Sequence, residues 1–362
     1  MFRREFNEMK TKRILVFVTG LSFMVSTCTT AKDENENDSI IAQGQMPNLA
    51  KDSDGNLHMV YGTSDGIMYS FSSNNGKSFS RPLLISVLPK LVSSHMRGPQ
   101  VAATLTGLVV VACNSSGNIF SYIKDQKGSW VDGPRVNDAD SVALEGFVAL
   151  AADGVNAIAV WLDLRGNRRN KIFGAISNDG GKTWSRNKLL YASPDLTVCE
   201  CCKPSVVMKG NRVYVMFRNW LNGKRDLYFI QSTDGGHSFG EAQKLGNGSW
   251  VLDGCPMDGG GIAIGQNGIL QTVWSRKGTI YGCEPGKEET KLGAGRNCTM
   301  TSLNGKNVYA WVQNDTVIVM KPGFKKINVG QGQLPLVKDI TTNRIICIWE
   351  KDKQIHRVVL NL

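Results

Sequence analysis

The sequence predicts an all-β fold, a β-propeller of four-stranded blades, on three observations. Short strands separated by Gly, Asn and Asp turns recur at intervals of about 36 to 57 residues, which is the spacing of propeller blades. Residues 212–217 alternate with the strand period of two, and no long stretch after the N-terminal segment has the helical period. The 362 residues include 39 Gly but only 11 Pro, which suits a fold with many tight turns.

Each repeat consists of a short strand, a turn, a strand that often ends in an aromatic residue, and a third strand. The copies begin at Met46, Arg97, Glu145, Cys202, Gly259, Cys298 and Leu334. Seven copies predict seven blades in a single domain over residues 39–362, with six blades as the alternative. The last copy ends in what would be only a third strand, so we expect residues 39–42 to supply the missing outer strand and to close the ring.

The N-terminal segment is predicted to be a targeting signal. Residues 1–27 combine a basic start, an apolar run of about fourteen residues and a small-residue stretch, which is typical of a secretory signal peptide and too short for a spanning helix. The sequence VSTC resembles a bacterial lipobox in which Cys28 is lipidated, although Thr27 departs from the usual Gly, Ala or Ser. Ordinary signal cleavage nearby is the alternative.

Residues 28–38 are polar and acidic, which predicts a solvated tether. The tether is similar to the export signal of surface lipoproteins in the Bacteroides group. We therefore expect an exported protein, lipid-anchored to the outer membrane or cell surface of a Gram-negative bacterium. A periplasmic or secreted protein is the alternative.

Composition and charge exclude several classes of protein. A mean hydropathy of −0.18 with 41% hydrophobic residues excludes global disorder and a polytopic membrane protein. The net charge falls from +11 to +8 when residues 1–27 are removed, because they hold five basic and two acidic residues. The remaining basic residues are scattered and form no block suited to nucleic acid. A mildly basic domain favours an acidic small ligand or glycan.

A more specific motif occurs in three repeats. SNDGGKTW at 177–184 and STDGGHSF at 232–239 share the pattern S-x-D-x-G-x-T/S-W/F, and SSNNGKSF at 72–79 is a weaker copy. The pattern predicts a hairpin in which the Asp or Asn side chain binds backbone N–H groups, Gly takes a positive φ, and the aromatic residue packs between sheets. The motif matches the Asp-box, or BNR repeat, of the sialidase superfamily of β-propellers, where it has a structural role.

Further motifs extend this resemblance over about residues 90–300. HMRGPQ, WLDLR, VCECCKPSV, RDLYF and GCPMDGG resemble a branch of bacterial sialidase-like proteins that is usually labelled exo-α-sialidase. The resemblance implies an acidic sugar whose carboxylate is held by three arginines, an Asp acid/base, and a Tyr nucleophile activated by Glu. The first sialidase arginine, in an F/Y-R-I-P motif, is missing, and Tyr281 is the only tyrosine near the expected mouth of the funnel.

The candidate site residues lie where the innermost strands begin. Those proposed to bind the substrate are His95, Arg97, Arg165, Arg218 and Arg276. The acid/base candidates are Glu145, Asp163 and Asp258. Structural alternatives are an ion pair between Arg218 and Asp226 and a loop salt bridge between Arg165 and Asp163. An enzyme requires the arginines and a carboxylate to converge, and arginines already paired to Asp or Glu would exclude it.

Nine cysteines are many for a reduced cytosolic enzyme. Four of them precede two successive innermost strands, so neighbouring blades would bring Cys199, Cys201, Cys202 and Cys255 together. Two disulfides are predicted here, with a thiolate site for a soft metal such as copper or zinc, or a redox pair, as the alternative. We expect Cys113 and Cys347 to be buried thiols, and Cys283 with Cys298 is a candidate third bridge.

The leading hypothesis is an exported, monomeric, sialidase-like glycoside hydrolase acting on glycans with an acidic sugar and needing no cofactor. The first alternative is a non-catalytic propeller that binds glycan or protein. The second is a metal or redox role of the four clustered cysteines.

Overall fold

The computed structural model describes residues 39–195, 197–265 and 268–362, which form strands joined by loops. The predicted signal peptide, Cys28 and the acidic tether lie outside the described residues. Within the described part of the chain, no helix is long and apolar enough to cross a membrane.

The 29 strands arrange into seven antiparallel sheets, the blades of a propeller. In chain order the strands are β1 (Ser39–Gln43), β2 (Gln45–Lys51), β3 (Leu57–Gly62), β4 (Gly66–Ser72), β5 (Leu83–Val87), β6 (Gln100–Thr104), β7 (Gly107–Cys113), β8 (Ile119–Asp125), β9 (Trp130–Asp132), β10 (Val148–Asp153), β11 (Asn156–Asp163), β12 (Lys171–Ser177), β13 (Lys188–Tyr191), β14 (Thr197–Val198), β15 (Ser205–Lys209), β16 (Arg212–Leu221), β17 (Lys224–Ser232), β18 (Gln243–Lys244), β19 (Gly261–Ile264), β20 (Leu270–Arg276), β21 (Thr279–Cys283), β22 (Thr290–Ala294), β23 (Arg296–Leu303), β24 (Lys306–Gln313), β25 (Thr316–Met320), β26 (Ile327–Gln331), β27 (Gln333–Asp339), β28 (Arg344–Lys351) and β29 (Gln354–Asn361).

Seven innermost strands form a closed ring, in the order β2, β6, β10, β15, β19, β23, β27 and back to β2. The seventh blade combines both ends of the described chain, because β1 pairs antiparallel with β29 and completes the order β1-β29-β28-β27. This pairing leaves no open edge between the first and last blades. The predicted fold class, the number of seven blades and closure by residues 39–42 are confirmed.

Tryptophans at the ends of second strands form the core between blades. Trp161, Trp274, Trp311 and Trp349 are all at most 1% exposed. The Trp311 indole N–H donates to the Ala294 carbonyl oxygen at 2.9 Å, and the Trp349 indole donates to the Gln331 carbonyl oxygen at the same distance. Each indole therefore fills the space between sheets while its single polar group is satisfied.

The three hairpin motifs connect the third and fourth strands of their blades. In the second copy Asp179 accepts the Thr183 backbone N–H at 2.9 Å, and the Gly181 N–H donates to Ser177 Oγ at 2.8 Å. Gly181 has φ +88°, and a Cβ there would lie 2.5 Å from Val109 of the preceding blade. The turn thus closes its own hairpin and packs against the neighbouring sheet, as the pattern predicts.

Blade 4 departs from the repeat. Its long strand β16 pairs with two separate short strands, β14 at one end and β15 at the other. The intervening residues 199–204, which contain three of the four clustered cysteines, leave β16 and return to it. A regular strand therefore anchors both ends of an irregular segment beside the central channel.

Candidate functional site

The ring of innermost strands encloses a cavity of about 470 Å³. Every blade contributes to its wall, and the polar or charged residues that line it are Asn48, Gln100, Lys203, Ser205, Lys209, Asp258, Asn297, Thr299, Thr301, Ser302, Lys338 and Asp339. The volume lies within the range of small-molecule sites in proteins.

Backbone bulges shape one end of the cavity. Met46, Asn297 and Leu334 adopt left-handed backbone conformations with φ values of 55°, 52° and 53°. The ladders of β2, β23 and β27 each shift register at these positions. Side chains other than Gly and Asn are uncommon in this conformation, so Met46 and Leu334 at equivalent positions of their blades mark this end of the channel.

Lys203 reaches across this end of the cavity from blade 4 to blade 2. Its Nζ donates to Gln100 Oε1 at 2.7 Å. None of the ion pairs formed by the described residues involves Lys203. Burial lowers the pKa of the Lys203 ammonium to about 8. At neutral pH it therefore remains mainly a cation, and the side chain to which it donates, Gln100, is neutral.

The opposite ends of the innermost strands carry a second lysine, Lys338, whose pKa is lowered by burial. Its neighbour Asp339 pairs with Lys51 and accepts a hydrogen bond from Thr301 Oγ1 at 3.2 Å. Burial opposes ionisation of Asp339, but the two lysines and the Lys51 hydrogen bond outweigh it and lower its pKa. The carboxylate at this end of the cavity is thus already neutralised.

Asp258 is the one acid/base candidate that lines the cavity. The residue is 3% exposed, and its Oδ1 has no hydrogen-bond partner among the described atoms. Its Oδ2 accepts the Asn297 N–H at 3.4 Å. Burial raises the pKa of this carboxyl, although nearby Arg218 acts in the opposite direction. Asp258 therefore tends to hold its proton to a higher pH than an exposed Asp.

The predicted arginine cluster is not found around the cavity, because none of the four arginines is among its lining residues. Arg165 pairs with Asp163 through Nε and Nη2, at 2.9 and 2.8 Å, and also with Asp138. This is the loop salt bridge that the sequence offered as the structural alternative. It also occupies Asp163, a predicted acid/base residue, which is fully buried.

Arg276 and Arg218 are likewise satisfied internally. Arg276 binds both carboxylate oxygens of Glu289 and lies over the Tyr281 ring at 4.2 Å. Arg218 is 1% exposed and donates to the carbonyl oxygens of Arg225 and Ser275 at 2.9 and 2.8 Å. The alternative of an Arg218–Asp226 ion pair is wrong, since Asp226 pairs with Lys244 instead.

Arg97 and Glu145 lie together between blades 2 and 3. Arg97 Nε donates to the Glu145 carbonyl oxygen at 2.5 Å, and its guanidinium stacks on Phe147. Burial raises the pKa of the Glu145 carboxyl, which Asn170 and Arg97 partly offset. His95 is exposed, and its carbonyl oxygen accepts a hydrogen bond from Arg97. These three residues form a local contact outside the cavity lining.

The four clustered cysteines form one disulfide, Cys201–Cys255. The prediction of two disulfides is wrong, because Cys199 and Cys202 are free thiols with their sulfurs 3.5 Å apart. The Cys199 sulfur also lies 3.6 Å from Cys201 Sγ, and these three sulfurs are all within 4.8 Å of one another. Cys201 is already bonded to Cys255, so the structure does not present three free thiolates for a metal.

The other four cysteines in the described part of the chain, Cys113, Cys283, Cys298 and Cys347, are buried free thiols. This confirms the expectation for Cys113 and Cys347. The candidate bridge between Cys283 and Cys298 is not formed. Burial raises the pKa of all four thiols, so they remain protonated and unreactive.

Arg225 gives the cysteine cluster its charge. Its Nη1 lies 3.0 Å from Cys199 Sγ and 3.3 Å from Glu200 Oε2, and the guanidinium stacks on Trp220. The pKa of Cys199 is lowered by its hydrogen bond with Cys202 and by Arg225, whereas burial raises the pKa of Cys202. The sequence interpretation missed Arg225, Lys203 and Gln100. Each of them lies in a motif that the sequence singles out, Gln100 in HMRGPQ, Lys203 in VCECCKPSV and Arg225 in RDLYF, but none was predicted to be a site residue.

The chain therefore has the fold of a seven-bladed β-propeller with a polar central cavity. No protein-family model matches the sequence, and no curated protein matches it either.

Solved structures with a similar fold include two lectins and a sialidase. The BP39L lectin from Burkholderia pseudomallei has a TM-score of 0.64 at 8% identity, covering 88% of this chain and 96% of the lectin. An Aleuria aurantia lectin mutant has a TM-score of 0.51 at 10% identity, covering 81% of this chain and 98% of that one. The K499G mutant of NanB sialidase from Streptococcus pneumoniae has a TM-score of 0.45 at 11% identity, covering 90% of this chain and 71% of the sialidase. At these identities the similarity to the two lectins shows the fold alone.

Proposed function

We propose that the propeller binds a carbohydrate bearing a negative charge in its central cavity and does not hydrolyse it. The observation that carries this proposal is Lys203, a cation at the cavity wall whose Nζ donates to the neutral Gln100 side chain and joins none of the ion pairs of the described residues. A desolvated ammonium without a counter-charge is costly, and an anionic group bound in the cavity would relieve that cost. The surrounding amides and hydroxyls supply donors and acceptors for sugar hydroxyl groups.

The internal pairing of the arginines favours binding over sialidase chemistry. A sugar carboxylate would have to displace Asp163 from Arg165 or Glu289 from Arg276, and both pairs are bidentate. No tyrosine is among the described residues that line the cavity. The Aleuria aurantia lectin is described in complex with Fucα1-6GlcNAc, so proteins of similar fold bind glycans.

A hydrolase is the second candidate, supported by Asp258. This carboxyl lines the cavity, has a raised pKa and carries an oxygen without a hydrogen-bond partner among the described atoms. A general acid needs these properties, because it must hold a proton near the pH at which it acts. In a hydrolase, Asp258 would donate a proton to the departing sugar oxygen.

Titration calorimetry with N-acetylneuraminic acid, glucuronic acid and methyl α-galactoside distinguishes these possibilities. We expect the two acids to bind and the neutral glycoside to bind at least tenfold more weakly. Lys203→Met should lose the preference, whereas Lys182→Met, at an exposed lysine in an outer hairpin, should keep it. Equal binding of all three sugars, or binding of none, would contradict the proposal.

A fluorogenic sialoside tests hydrolysis directly. We expect no turnover by the purified chain. Turnover that is lost in Asp258→Asn but retained in Lys182→Met would instead establish the hydrolase and refute a purely binding role.

We further propose that the chain is exported and lipid-anchored through Cys28, as VSTC and the preceding apolar run support. Expression in a Gram-negative host with labelled palmitate should label the wild type and not Cys28→Ser. An unlabelled wild type recovered without its first residues would instead establish a periplasmic or secreted protein.

A further inference from the structure

The four clustered cysteines are arranged as a continuous row of sulfurs between the surface and the interior. Cys255 is exposed and bonded to Cys201, Cys201 lies 3.6 Å from Cys199, and Cys199 lies 3.5 Å from Cys202. Cys199 and Cys202 are at most 1% exposed. Two buried thiols therefore lie directly behind a disulfide whose outer cysteine, Cys255, is exposed.

The fold holds this row in position. Strands β14 and β15 both pair with β16, so the segment that carries Cys199, Cys201 and Cys202 is anchored at each end. The backbone N–H of Cys199 also donates to the carbonyl oxygen of Arg218 at 2.9 Å. Cys255 precedes β19 of the next blade, so the disulfide joins two blades.

Arg225 makes Cys199 the nucleophile of the row. Its guanidinium contacts the Cys199 sulfur at 3.0 Å, and a neighbouring cation favours the thiolate, which is the reactive form. Arg225 is 2% exposed and stacked on Trp220, so its charge is weakly screened by water. Cys113 and Cys347 differ from Cys199, because burial alone acts on their thiols and raises the pKa of each.

We propose that these four cysteines form a thiol–disulfide exchange site that passes two electrons from the buried Cys199 and Cys202 to an external disulfide through Cys255. This activity is separate from the proposed carbohydrate binding and does not depend on it.

The exchange begins within the protein. The Cys199 thiolate attacks Cys201 Sγ, a bond forms between these sulfurs, the Cys201–Cys255 bond breaks, and Cys255 leaves as an exposed thiolate. Cys202 then attacks Cys199 Sγ, its proton passes to the departing Cys201 sulfur nearby, and Cys201 is released as a thiol. The disulfide has moved to Cys199–Cys202, and no electrons have entered or left the protein.

An external disulfide, on a protein or a small molecule, completes the reaction. The Cys255 thiolate attacks it, forms a mixed disulfide and releases one thiolate. Cys201 then attacks Cys255 Sγ, restores the Cys201–Cys255 bond and releases the second thiolate. Two protein thiols have been oxidised to a disulfide, and one external disulfide has been reduced to two thiols.

Thiol trapping in the native full chain tests the internal exchange. Cys199, Cys201 and Cys202 lie on one tryptic peptide and Cys255 on another, so the Cys201–Cys255 link is visible as a joined pair. We expect N-ethylmaleimide to label Cys255 progressively and to separate the two peptides. In Cys199→Ser the peptides should stay joined, and in the matched control Cys113→Ser labelling should match the wild type.

Hydroxyethyl disulfide tests the complete reaction. We expect each chain to reduce one molecule of hydroxyethyl disulfide and to form a Cys199–Cys202 bond. The rate of this reduction should fall about tenfold or more in Arg225→Gln. Cys255 that stays unlabelled in native protein, or wild-type rates in Cys199→Ser, would overturn the proposal. Stoichiometric copper or zinc that is bound by the purified wild type and lost in Cys199→Ser would also overturn it and establish the metal site instead.

Discussion

The pH dependence of binding tests whether the affinity for an acidic sugar depends on the charge of Lys203 or only on the shape of the cavity. With a pKa of about 8 in the free protein, Lys203 is about 90% protonated at pH 7 but only about 3% protonated at pH 9.5. If only the protonated form binds an acidic sugar, the apparent dissociation constant scales inversely with that fraction. The affinity should then fall about 30-fold between pH 7 and pH 9.5.

Two substitutions make this prediction specific. Lys203→Arg keeps the charge over the whole range, so its affinity should vary little with pH. Lys203→Met removes a charged hydrogen-bond donor worth about 1.5–3 kcal/mol, so it should bind about 10- to 150-fold more weakly at pH 7 and show no fall at higher pH.

The assay is titration calorimetry of N-acetylneuraminic acid at constant ionic strength, because the sugar carboxylate is ionised at every pH used. A flat profile for the wild type would refute the argument. A fall of equal size in Lys203→Arg would place the titrating group elsewhere.

Three further predictions concern the fold and are checked by denaturant unfolding. Gly181→Ala should destabilise the protein by about 2–4 kcal/mol, since it adds a clash with the neighbouring blade to the cost of a left-handed Ala. Gly154→Ala, with φ +62° and open space around it, should cost only about 1–2 kcal/mol, and equal losses would contradict the packing argument. Deleting residues 39–43 should lower the unfolding midpoint and promote association, because β29 loses its outer partner and becomes an exposed edge strand; a monomer of unchanged stability would contradict ring closure. Trp311→Ala should cost about 3–5 kcal/mol, and a loss below about 1 kcal/mol would show that the indole is not part of the core between blades.

The architecture was predictable because its determinants are local and repeated. Each blade is encoded by turns and alternating strands within a window of about 36 to 57 residues. The number of sequence repeats therefore gives the number of blades. The closure of the ring by β1 was also predictable, because the last sequence repeat contains only three strands and needs a fourth from elsewhere. The hairpin at 177–184 was also predictable, because its hydrogen bonds join residues two to four positions apart.

The site was harder to predict because its pairings are made across loops of unrelated sequence. Arg165 meets Asp138 from the preceding blade's long connection, and Arg276 meets Glu289 from a loop in its own blade. No spacing rule connects these residues, so the sequence could nominate arginines but could not show that carboxylates already occupied them. The sequence could not assign Lys203 to the site, because its contact with Gln100 is made across the channel between residues 103 positions apart.

The clustered cysteines show most clearly which features of the site could not be predicted from the sequence. Their proximity followed from the topology, because segments that precede neighbouring innermost strands must approach each other. The topology did not show which cysteines are bonded. The Cys199 and Cys202 sulfurs are 3.5 Å apart, whereas two bonded sulfurs are about 2.05 Å apart. Both sulfurs lie on the irregular backbone between β14 and β15, and the cation beside Cys199, Arg225, lies 24 residues beyond Cys201 in the chain.

The candidate chemistry is concentrated where blade 4 departs from the repeat. In the other six blades the innermost strand pairs with the second strand alone, but in blade 4 residues 199–204 interrupt that pairing. This one segment places the Cys199 sulfur against Arg225 and the Lys203 ammonium in the cavity. A regular strand would have directed these side chains alternately to the two faces of the sheet. The irregular backbone instead supports two different environments within five residues, a buried thiolate site and a cationic cavity wall.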